Sequence, residues 1–448
     1  MNCPYAHGGS AAAPAEGPVV LDPFVTDLDA ESAALRAAGP LARVVLPGGV
    51  ACYAVTHHAE ARAALTDPRL VKDIGVWDAW RRGEIPLDWP LVGLANPGRS
   101  MLTVDGPDHR RLRALVAQAL TVRRVELLRE RIGELTAGLL DGLDGLDGLD
   151  GTGAPYGTDC TDGTEPPYRP YRTEPVDLKA AFAYRLPMGV ISELMGVDPG
   201  DHPRLKELYG EFFSTQTPPE RVPLVVADLA EVFTRVIDAK RVTPGDDLTS
   251  ALIAASEDGD RLAQDEILHT LMVMVAAGHE TTISLIVNAV VALETHPEQR
   301  ARVLAGEIPW ENVIEETLRW SAPTSHVLFR FATEDIAFGG SVLPAGEALL
   351  VSYGAIGRDE RQHGPDAGAF DATREPNRHL SFGHGPHVCP GAALSRLEAA
   401  VALPALYGRF PGLSLAVPAA ELRNMPVVTQ NDLYELPVRL GRLGPGGA

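Results

Sequence analysis

The sequence predicts a mainly α-helical protein with small β-sheets. Two observations carry this prediction. Helical periodicity dominates the middle of the chain, whereas short extended segments cluster near its two ends. At 448 residues the chain can bury a large core, and its length alone would also allow two domains.

The predicted elements follow in chain order. Residues 1–20 are rich in Ala, Gly and Pro and are predicted to be disordered. The segment 40–55 predicts a β-hairpin, because Pro47-Gly48-Gly49 supplies a turn between two apolar runs. Helices are expected over most of the middle of the chain. Extended segments are expected again at 325–338, 342–352 and 424–440.

A three-residue Asp-Gly-Leu repeat at 141–151 interrupts this order and leads into a run rich in Gly, Pro, Thr and Tyr. The repeat is too rich in glycine to favour a helix or a strand. We therefore interpret 141–175 as a flexible surface insertion. A calcium-binding array is the alternative, but such arrays have a nine-residue period with a different spacing.

Charge and cysteine content exclude several classes of protein. A formal net charge of −21 argues against nucleic acid or an anionic membrane surface as the main partner. Four scattered cysteines do not form a disulfide framework, which indicates a reducing cytoplasm. The N-terminus lacks the pattern of a signal peptide, and we expect no membrane anchor.

The most informative motif is the decapeptide Phe382-Gly383-His384-Gly385-Pro386-His387-Val388-Cys389-Pro390-Gly391. A cysteine thiolate that binds a metal from one side needs backbone N–H groups aimed at its sulfur. Glycines allow the main chain to approach closely enough to supply them. A buried structural cysteine is the plainer interpretation. Zinc is a weaker one, because no second cysteine lies near Cys389.

This decapeptide resembles the haem-ligand loop of the cytochrome P-450 monooxygenases. The resemblance implies the cytochrome P-450 fold in a single large domain, here 21–445, with haem b as cofactor and the Cys389 thiolate as iron ligand. It also implies that Phe382, Gly383 and Gly391 belong to the cofactor-binding loop.

Upstream, residues 264–295 predict a long apolar helix through the core. Its centre holds a glycine, an acid and two threonines, which are poor fillers of a core helix. By the resemblance, Gly278 allows close approach to the haem, Glu280 belongs to a proton route, and Thr281 hydrogen-bonds the oxygen species. The alternative for Gly278 is a close helix crossing, and the alternative for Glu280 and Thr281 is the polar face of a surface helix.

Glu316 and Arg319 are three residues apart and so share one helix face. The spacing alone is weak, because it recurs at 126/129 and 375/378. The resemblance raises its significance, since it implies that Glu316, Arg319 and Arg374 form a structural ion cluster beneath the cysteine loop.

Haem propionates require cationic partners when they are buried. His109, Arg113, Arg330 and His387 match the propionate-binding positions of the resembled family. An ordinary solvated helix face is the alternative for the first two, which lie in a basic segment. The remaining arginines of that segment could form a docking patch for an acidic ferredoxin. They are Arg110, Arg111, Arg123 and Arg124.

In the resembled fold, a distal pocket would be lined by apolar side chains that could equally be core residues. The expected lining residues are Trp77, Trp80, Trp89, Phe212, Phe213, Val327 and Leu328. This set favours a large apolar substrate such as a macrolactone, a terpenoid or a steroid.

Three classes of function follow. The favoured one is a soluble bacterial, actinobacterial-like monooxygenase of secondary metabolism. It would hydroxylate or epoxidise its substrate with O2 and electrons from a ferredoxin or flavodoxin-type donor with its reductase. The second is a peroxide-using or oxidative-coupling haem-thiolate enzyme, for which Glu280 and Thr281 would be unnecessary. The third is a non-catalytic haem-binding sensor.

Overall fold

The computed structural model describes residues 17–146, 175–257 and 262–441. It confirms a mainly α-helical fold with small β-sheets. Its α-helices are α1 (Leu28–Ala37), α2 (His58–Ala64), α3 (Asp78–Arg81), α4 (Val92–Ala95), α5 (Gly106–Ala119), α6 (Val122–Leu127), α7 (Arg129–Leu146), α8 (Arg185–Met195), α9 (His202–Phe213), α10 (Val222–Val242), α11 (Leu248–Glu257), α12 (Gln264–Thr295), α13 (Pro297–Leu304), α14 (Trp310–Trp320), α15 (Tyr353–Ile356), α16 (Glu360–His363) and α17 (Ala392–Arg409).

The strands of the described residues gather into three small sheets. They are β1 (Val19–Val20), β2 (Leu41–Leu46), β3 (Val50–Val55), β4 (Leu70–Val71), β5 (Val176–Asp177), β6 (His326–Ala332), β7 (Ile336–Phe338), β8 (Ser341–Leu343), β9 (Ala348–Ser352), β10 (Ser414–Leu415) and β11 (Pro437–Arg439). The largest sheet has the order β1-β2-β3-β9-β6-β4. The others are β10-β11-β5 and the hairpin β7-β8.

The predicted hairpin at 40–55 is confirmed as β2 and β3, which pair antiparallel from Leu41 and Val55 to Leu46 and Val50. Gly48 and Gly49 turn the chain with φ values of 84° and 80°, a region that side chains disfavour. The predicted disorder of residues 1–20 is wrong for its last residues. β1 pairs in parallel with β2, so the sheet fixes this part of the backbone. Residues 1–16 lie outside the described part.

α12 runs through the largest hydrophobic cluster and packs against α8, α10, α14 and α17. It is 32 residues long and apolar enough to cross a bilayer by length and composition, which the sequence analysis did not anticipate. Most of its side chains are buried inside the protein, and the helix forms the centre of the core. This packing fixes the position of the middle of α12, where the candidate site lies.

α7 continues into the Asp-Gly-Leu repeat as far as Leu146, so the prediction that 141–146 cannot be helical is wrong. Leu140 and Leu143 are buried, and Asp141 pairs with Arg409 of α17 at 2.7 Å. This packing outweighs the cost of a helical glycine, about 1 kcal/mol. The remainder of the predicted insertion, 147–174, lies outside the described residues.

The extended segments predicted at 325–338 and 342–352 are confirmed as β6 to β9. The segment 424–440 is largely not a strand, because only Pro437–Arg439 joins a sheet. Before it, the chain turns tightly where the Gln430 N–H donates to the Val427 carbonyl at 3.0 Å. An isolated bridge then joins Thr324 to Gln430, which brings this turn beside the start of β6.

Candidate active site

Cys389 ends a loop that immediately precedes α17. The loop closes on itself, because the Cys389 N–H donates to the Phe382 carbonyl at 2.8 Å. Gly385 has a φ of 73°, and a Cβ there would lie 2.9 Å from the Leu65 carbonyl oxygen. Only glycine fits this close backbone crossing without displacement.

The Cys389 side chain is exposed on one side and enclosed by protein on the others. This enclosure raises the pKa of the thiol. The N–H groups of Gly391 and Ala392 bond to the sulfur and oppose the effect, as do the charges of Arg113 and Arg396. The sulfur therefore has the backbone donors that a thiolate ligand requires.

Phe382 and Gly383 stabilise the turn of the cysteine loop. The Arg396 guanidinium lies 4.5 Å from the centroid of the Phe382 ring, which packs against the core. Gly383 has a φ of 74°, and its N–H donates to the Leu380 carbonyl at 2.6 Å. Both residues shape the turn that carries the cysteine.

The centre of α12 borders an internal cavity. Ala277 is exposed to it although the preceding residues of the helix are buried, and Thr281 also lines it. The Thr281 hydroxyl donates to the Ala277 carbonyl at 2.9 Å. At the next residue, Thr282 Oγ1 lies 3.1 Å from Ser395 Oγ and ties α12 to the first turn of α17, close to the cysteine loop.

Gly278 does not have the position that the resemblance implied. A Cβ at this residue would lie 2.6 Å from Cδ1 of Ile191 in α8. The glycine therefore allows a close crossing of α12 and α8, and we correct its assignment as a cofactor contact. A close helix crossing is an ordinary reason for glycine in a core helix.

Glu280 lies in a polar cluster on a different side of α12 from the cavity. Its Oε1 is 3.1 Å from His279 Nε2. Burial raises the pKa of Glu280, but His279, Lys179 and Lys206 outweigh it and hold the pKa below its ordinary value. Lys179 also pairs with Asp432 at 2.6 Å, and burial raises the pKa of that aspartate to about 6. The carboxylate of Glu280 and the titratable acid Asp432 therefore lie close to each other beside α12.

A cationic cluster lies beside the cysteine loop. The rings of His109 and His387 contact each other at an angle of 39°, with centroids 4.1 Å apart, and His387 Nε2 lies 2.9 Å from Asp105 Oδ1. Burial, with the charges of His387 and Arg113, lowers the pKa of His109 to about 4. His109 Nε2 is buried and has no hydrogen-bond partner in the described part of the chain.

Arg330 is 5% exposed, and its hydrogen bond to the Leu70 carbonyl is long, at 3.4 Å. Neither Arg330 nor Arg113 forms an ion pair with a carboxylate of the described residues. Lys72, which the sequence analysis missed, joins them. Its Nζ donates to the Phe329 carbonyl at 2.7 Å, and burial lowers its pKa to about 7. Its position in an ordinary loop gave no signal in the sequence.

The structure brings Glu316, Arg319 and Arg374 together in one ion cluster. Arg319 and Glu316 are almost fully buried and share two hydrogen bonds, of 2.6 and 2.7 Å. Arg374 Nε lies 3.4 Å from the same carboxylate. Asn377 adds a bond of 2.9 Å, so the carboxylate is fully satisfied.

The cavity has a volume of about 360 Å³. Of the predicted lining residues, Phe212, Phe213 and Val327 border it. The side chain of Leu328 lies outside the described part. The polar residues His326, Thr429 and Gln430 also line the cavity, as do Asn96 and His269, which were not expected there from the sequence. These lie far apart in sequence, and no local pattern marks them.

The three tryptophans do not line the cavity, and we correct that prediction. Trp77 is 1% exposed and stacks on Phe329 and Phe331 of β6, with centroids 5.2 and 5.8 Å away. Trp89 donates its ring N–H to the Pro47 carbonyl at 2.7 Å, and Trp80 packs against the same cluster. Their large rings fill the space between the sheet and the segment before α4.

Fold and site together define a mainly α-helical protein in which a cysteine loop lies close to a long core helix, and that helix borders an apolar cavity. The Cytochrome P450 family model matches residues 225–306 and 310–433. The 2-hydroxy-5-methyl-1-naphthoate 7-hydroxylase of Streptomyces carzinostaticus is 38% identical over 426 residues, which cover 94% of this chain and 97% of the relative. The cytochrome P450 monooxygenase PikC of Streptomyces venezuelae is 37% identical, covering 94% and 92%.

Solved structures agree. CYP154C4 from Streptomyces sp. W2061 is 69% identical, with a TM-score of 0.88, and the match covers 95% of this chain and 98% of that one. A structure described as "Testerone bound CYP154C4 from Streptomyces sp. ATCC 11861" is 70% identical, with the same TM-score and coverage. The chain belongs to the cytochrome P450 family, and it is a P450 monooxygenase.

The family implies a haem-thiolate cofactor, and the residues of this site fit one. An orphaned buried nitrogen of His109 and the guanidinium groups of Arg113 and Arg330 suit a dianionic group such as two propionates. The sulfur of Cys389, with its backbone donors, suits a metal bound from one side.

Proposed function

We propose that Cys389 ligates the iron of haem b and that His109, Arg113, Arg330 and His387 bind the propionates. One observation carries this proposal: the Cys389 sulfur, with the N–H groups of Gly391 and Ala392, lies within electrostatic reach of Arg113, a cation that has no carboxylate partner among the described residues. When bound, the haem supplies the reductive activation of dioxygen.

Thr281 and Glu280 would then deliver protons to the reaction. Thr281 has the hydroxyl of α12 that borders the cavity centre, and it is anchored on Ala277 rather than on another side chain. Glu280 lies one residue earlier, inside the cluster with His279 and Asp432. The pair offers a route from a buried acid cluster to an apolar cavity, where proton transfer needs positioned groups.

We infer a steroid-sized apolar substrate that is hydroxylated or epoxidised. Cavities for such ligands are mostly apolar with a few placed polar groups, and this one matches that description. The 70% identical relative whose structure is described with testosterone bound supports the steroid class. Macrolide substrates are the second candidate, because relatives include the Mycinamicin IV hydroxylase/epoxidase of Micromonospora griseorubida.

Electrons would come from a ferredoxin or flavodoxin-type protein with its reductase, in the cytoplasm. Arg110, Arg123 and Arg124 are exposed and could meet an acidic partner. Arg111 is corrected as a member of that patch, because it pairs with buried Glu266 at 2.7 Å. A reduction rate that falls as salt increases would support the patch, and a rate independent of salt would contradict it.

The first experiment tests the cofactor. Purified protein is reduced under carbon monoxide, and the Soret band is expected at the position of thiolate ligation. Cys389→Ser should lose that band, whereas Cys52→Ala, which changes the other described cysteine in buried β3, should keep it. A wild-type spectrum without thiolate ligation would overturn the assignment of Cys389.

The second experiment tests the reaction. The holoprotein is supplied with testosterone, NADPH, a ferredoxin and its reductase under ¹⁸O-labelled dioxygen. One labelled oxygen atom is expected in the product. Product formed only with added peroxide would favour the peroxide-using alternative, and haem binding without any product would favour the sensor.

A further inference from the structure

His326 and Thr429 form a polar patch on the wall of the apolar cavity. Both residues line it, and they are 1% and 8% exposed. The backbone holds them together, because the Ser325 N–H donates to the Thr429 carbonyl at 3.0 Å. His326 Nδ1 and Thr429 Oγ1 are buried and have no hydrogen-bond partner within the part of the chain that the structure describes.

Unsatisfied buried polar atoms are rare, and two on adjacent residues of one cavity wall need an explanation. Neither atom has appreciable solvent contact, so a ligand must turn the side chains slightly to reach them. Rotation of Thr429 about its Cα–Cβ bond presents the hydroxyl. A small tilt of the His326 ring turns Nδ1 toward the ligand, while Nε2 on the opposite side of the ring stays anchored.

Glu31 of α1 is that anchor. Its Oε1 lies 2.9 Å from His326 Nε2, and its Oε2 accepts the Asp22 N–H at 3.1 Å. An ionised carboxylate can only accept hydrogen bonds, so His326 Nε2 must carry the proton. In the neutral imidazole, Nδ1 then has a lone pair and is an acceptor.

The polarity of this nitrogen distinguishes it from the other polar groups of the cavity. The amides of Gln430 and Asn96 and the hydroxyl of Thr324 can each donate or accept, and so they favour neither kind of ligand group. The same holds for His269, whose Nδ1 is buried without a hydrogen-bond partner in the described part of the chain and whose tautomer no carboxylate fixes there. His326 Nδ1 is held as an acceptor by a residue 295 positions away in the sequence.

We propose that Glu31 and His326, together with Thr429, form a specificity subsite that binds a hydroxyl group on the apolar substrate and disfavours a ketone at the same position. The proposal rests on the proposed function, since it concerns the substrate of that cavity. A hydroxyl donates to Nδ1 and can also bond to Thr429. A carbonyl oxygen has no proton to donate, so it would face His326 Nδ1 as one acceptor faces another. The buried Nδ1 would then stay without a hydrogen bond.

The test uses two pairs of steroids. Within each pair, one oxygen is a hydroxyl in one member and a ketone in the other. Testosterone and androstenedione differ at carbon 17, and epiandrosterone and androstanedione differ at carbon 3, so either orientation in the cavity is covered. Dissociation constants are measured by calorimetry on the ferric holoprotein at pH 8.5. The hydroxyl member of at least one pair should bind about 10- to 100-fold tighter.

Glu31→Gln is the decisive variant. Its amide can donate to His326 Nε2, which moves the ring proton to Nδ1 and turns the acceptor into a donor. The preference for the hydroxyl should vanish or reverse, although Glu31 does not line the cavity. This variant keeps the size of the side chain, so it stays informative even where His326→Phe, which should abolish the preference, fails to fold.

Glu315→Gln is the matched control, because Glu315 makes the same 2.9 Å contact with a histidine, His379, away from the cavity. It should leave the ratio of the two dissociation constants unchanged. An unchanged ratio in Glu31→Gln, or no preference in the wild type, overturns the proposal.

The cofactor spectrum and the labelled-oxygen experiment test the proposed function separately from this subsite. They can succeed while the ligand preference fails. Failure of all four steroids to bind would overturn the steroid class and this subsite together, and it would leave the haem assignment standing.

Discussion

Arg319 and Glu316 form a bidentate ion pair that is almost completely removed from solvent, with N–O distances of 2.6 and 2.7 Å. Arg319 also donates to the carbonyl groups of Gly357, Ala367 and Ala369, at 2.7 to 2.8 Å. The pair therefore joins α14 to the segment that leads to the cysteine loop. We expect the pair to fix that segment, because its charges are compensated and its hydrogen bonds reach both elements.

Glu316→Ala should destabilise the protein by about 3–5 kcal/mol, because it leaves Arg319 as a buried charge without a counter-ion. Urea unfolding and the haem content of the purified protein measure the effect. Glu126→Ala removes a pair of the same spacing from an exposed surface and should cost less than about 0.5 kcal/mol. Equal losses in the two variants would contradict the structural role.

Thr281→Ala should uncouple electron use from product formation. The variant removes the only hydroxyl of α12 among the cavity-lining residues, so protons reach the reaction less readily. We expect product to fall by at least about tenfold while hydrogen peroxide rises. Thr295→Ala is the control, because Thr295 makes the same bond to a carbonyl four residues earlier, at 2.7 Å, but lies outside the cavity. Normal coupling in Thr281→Ala would refute the proton role.

Acid should destabilise the protein through His363. Burial and the charge of Arg319 lower its pKa in the folded state to about 3, whereas an unfolded chain has about 6.5. The unfolded state therefore binds the proton first, and stability is lost as the pH falls below about 6.5. At pH 5 the loss is about 1 kcal/mol after allowance for solvent screening.

His363→Phe keeps a ring beside His58, whose centroid lies 5.8 Å away, and removes the titration. Urea midpoints of the two proteins should converge as the pH falls from 7.5 to 5. A wild-type profile that matches the variant at every pH would show that His363 does not contribute.

Features fixed by neighbours in sequence were predictable, and those fixed by distant contacts were not. The glycines around Cys389, the turn at Gly48 and the three-residue spacing of Glu316 and Arg319 each express a local geometric demand. The site of Trp77 could not be predicted, because an aromatic ring suits a core and a cavity equally. The contact of His326 could not be predicted for a related reason, since its partner Glu31 belongs to another element.

A substitution of Leu143 tests whether 141–146 is helical, which was not expected from the sequence. Leu143 is 1% exposed in the part of α7 that enters the Asp-Gly-Leu repeat, so its burial stabilises the helix where glycines disfavour it. Leu143→Ala should cost about 2–5 kcal/mol, measured by urea unfolding of the holoprotein. Leu127→Ala removes the same atoms from a side chain that is 74% exposed and should change stability by less than about 0.5 kcal/mol. Similar small effects in both variants would mean that the repeat does not pack on the core, and the original interpretation of 141–146 would stand.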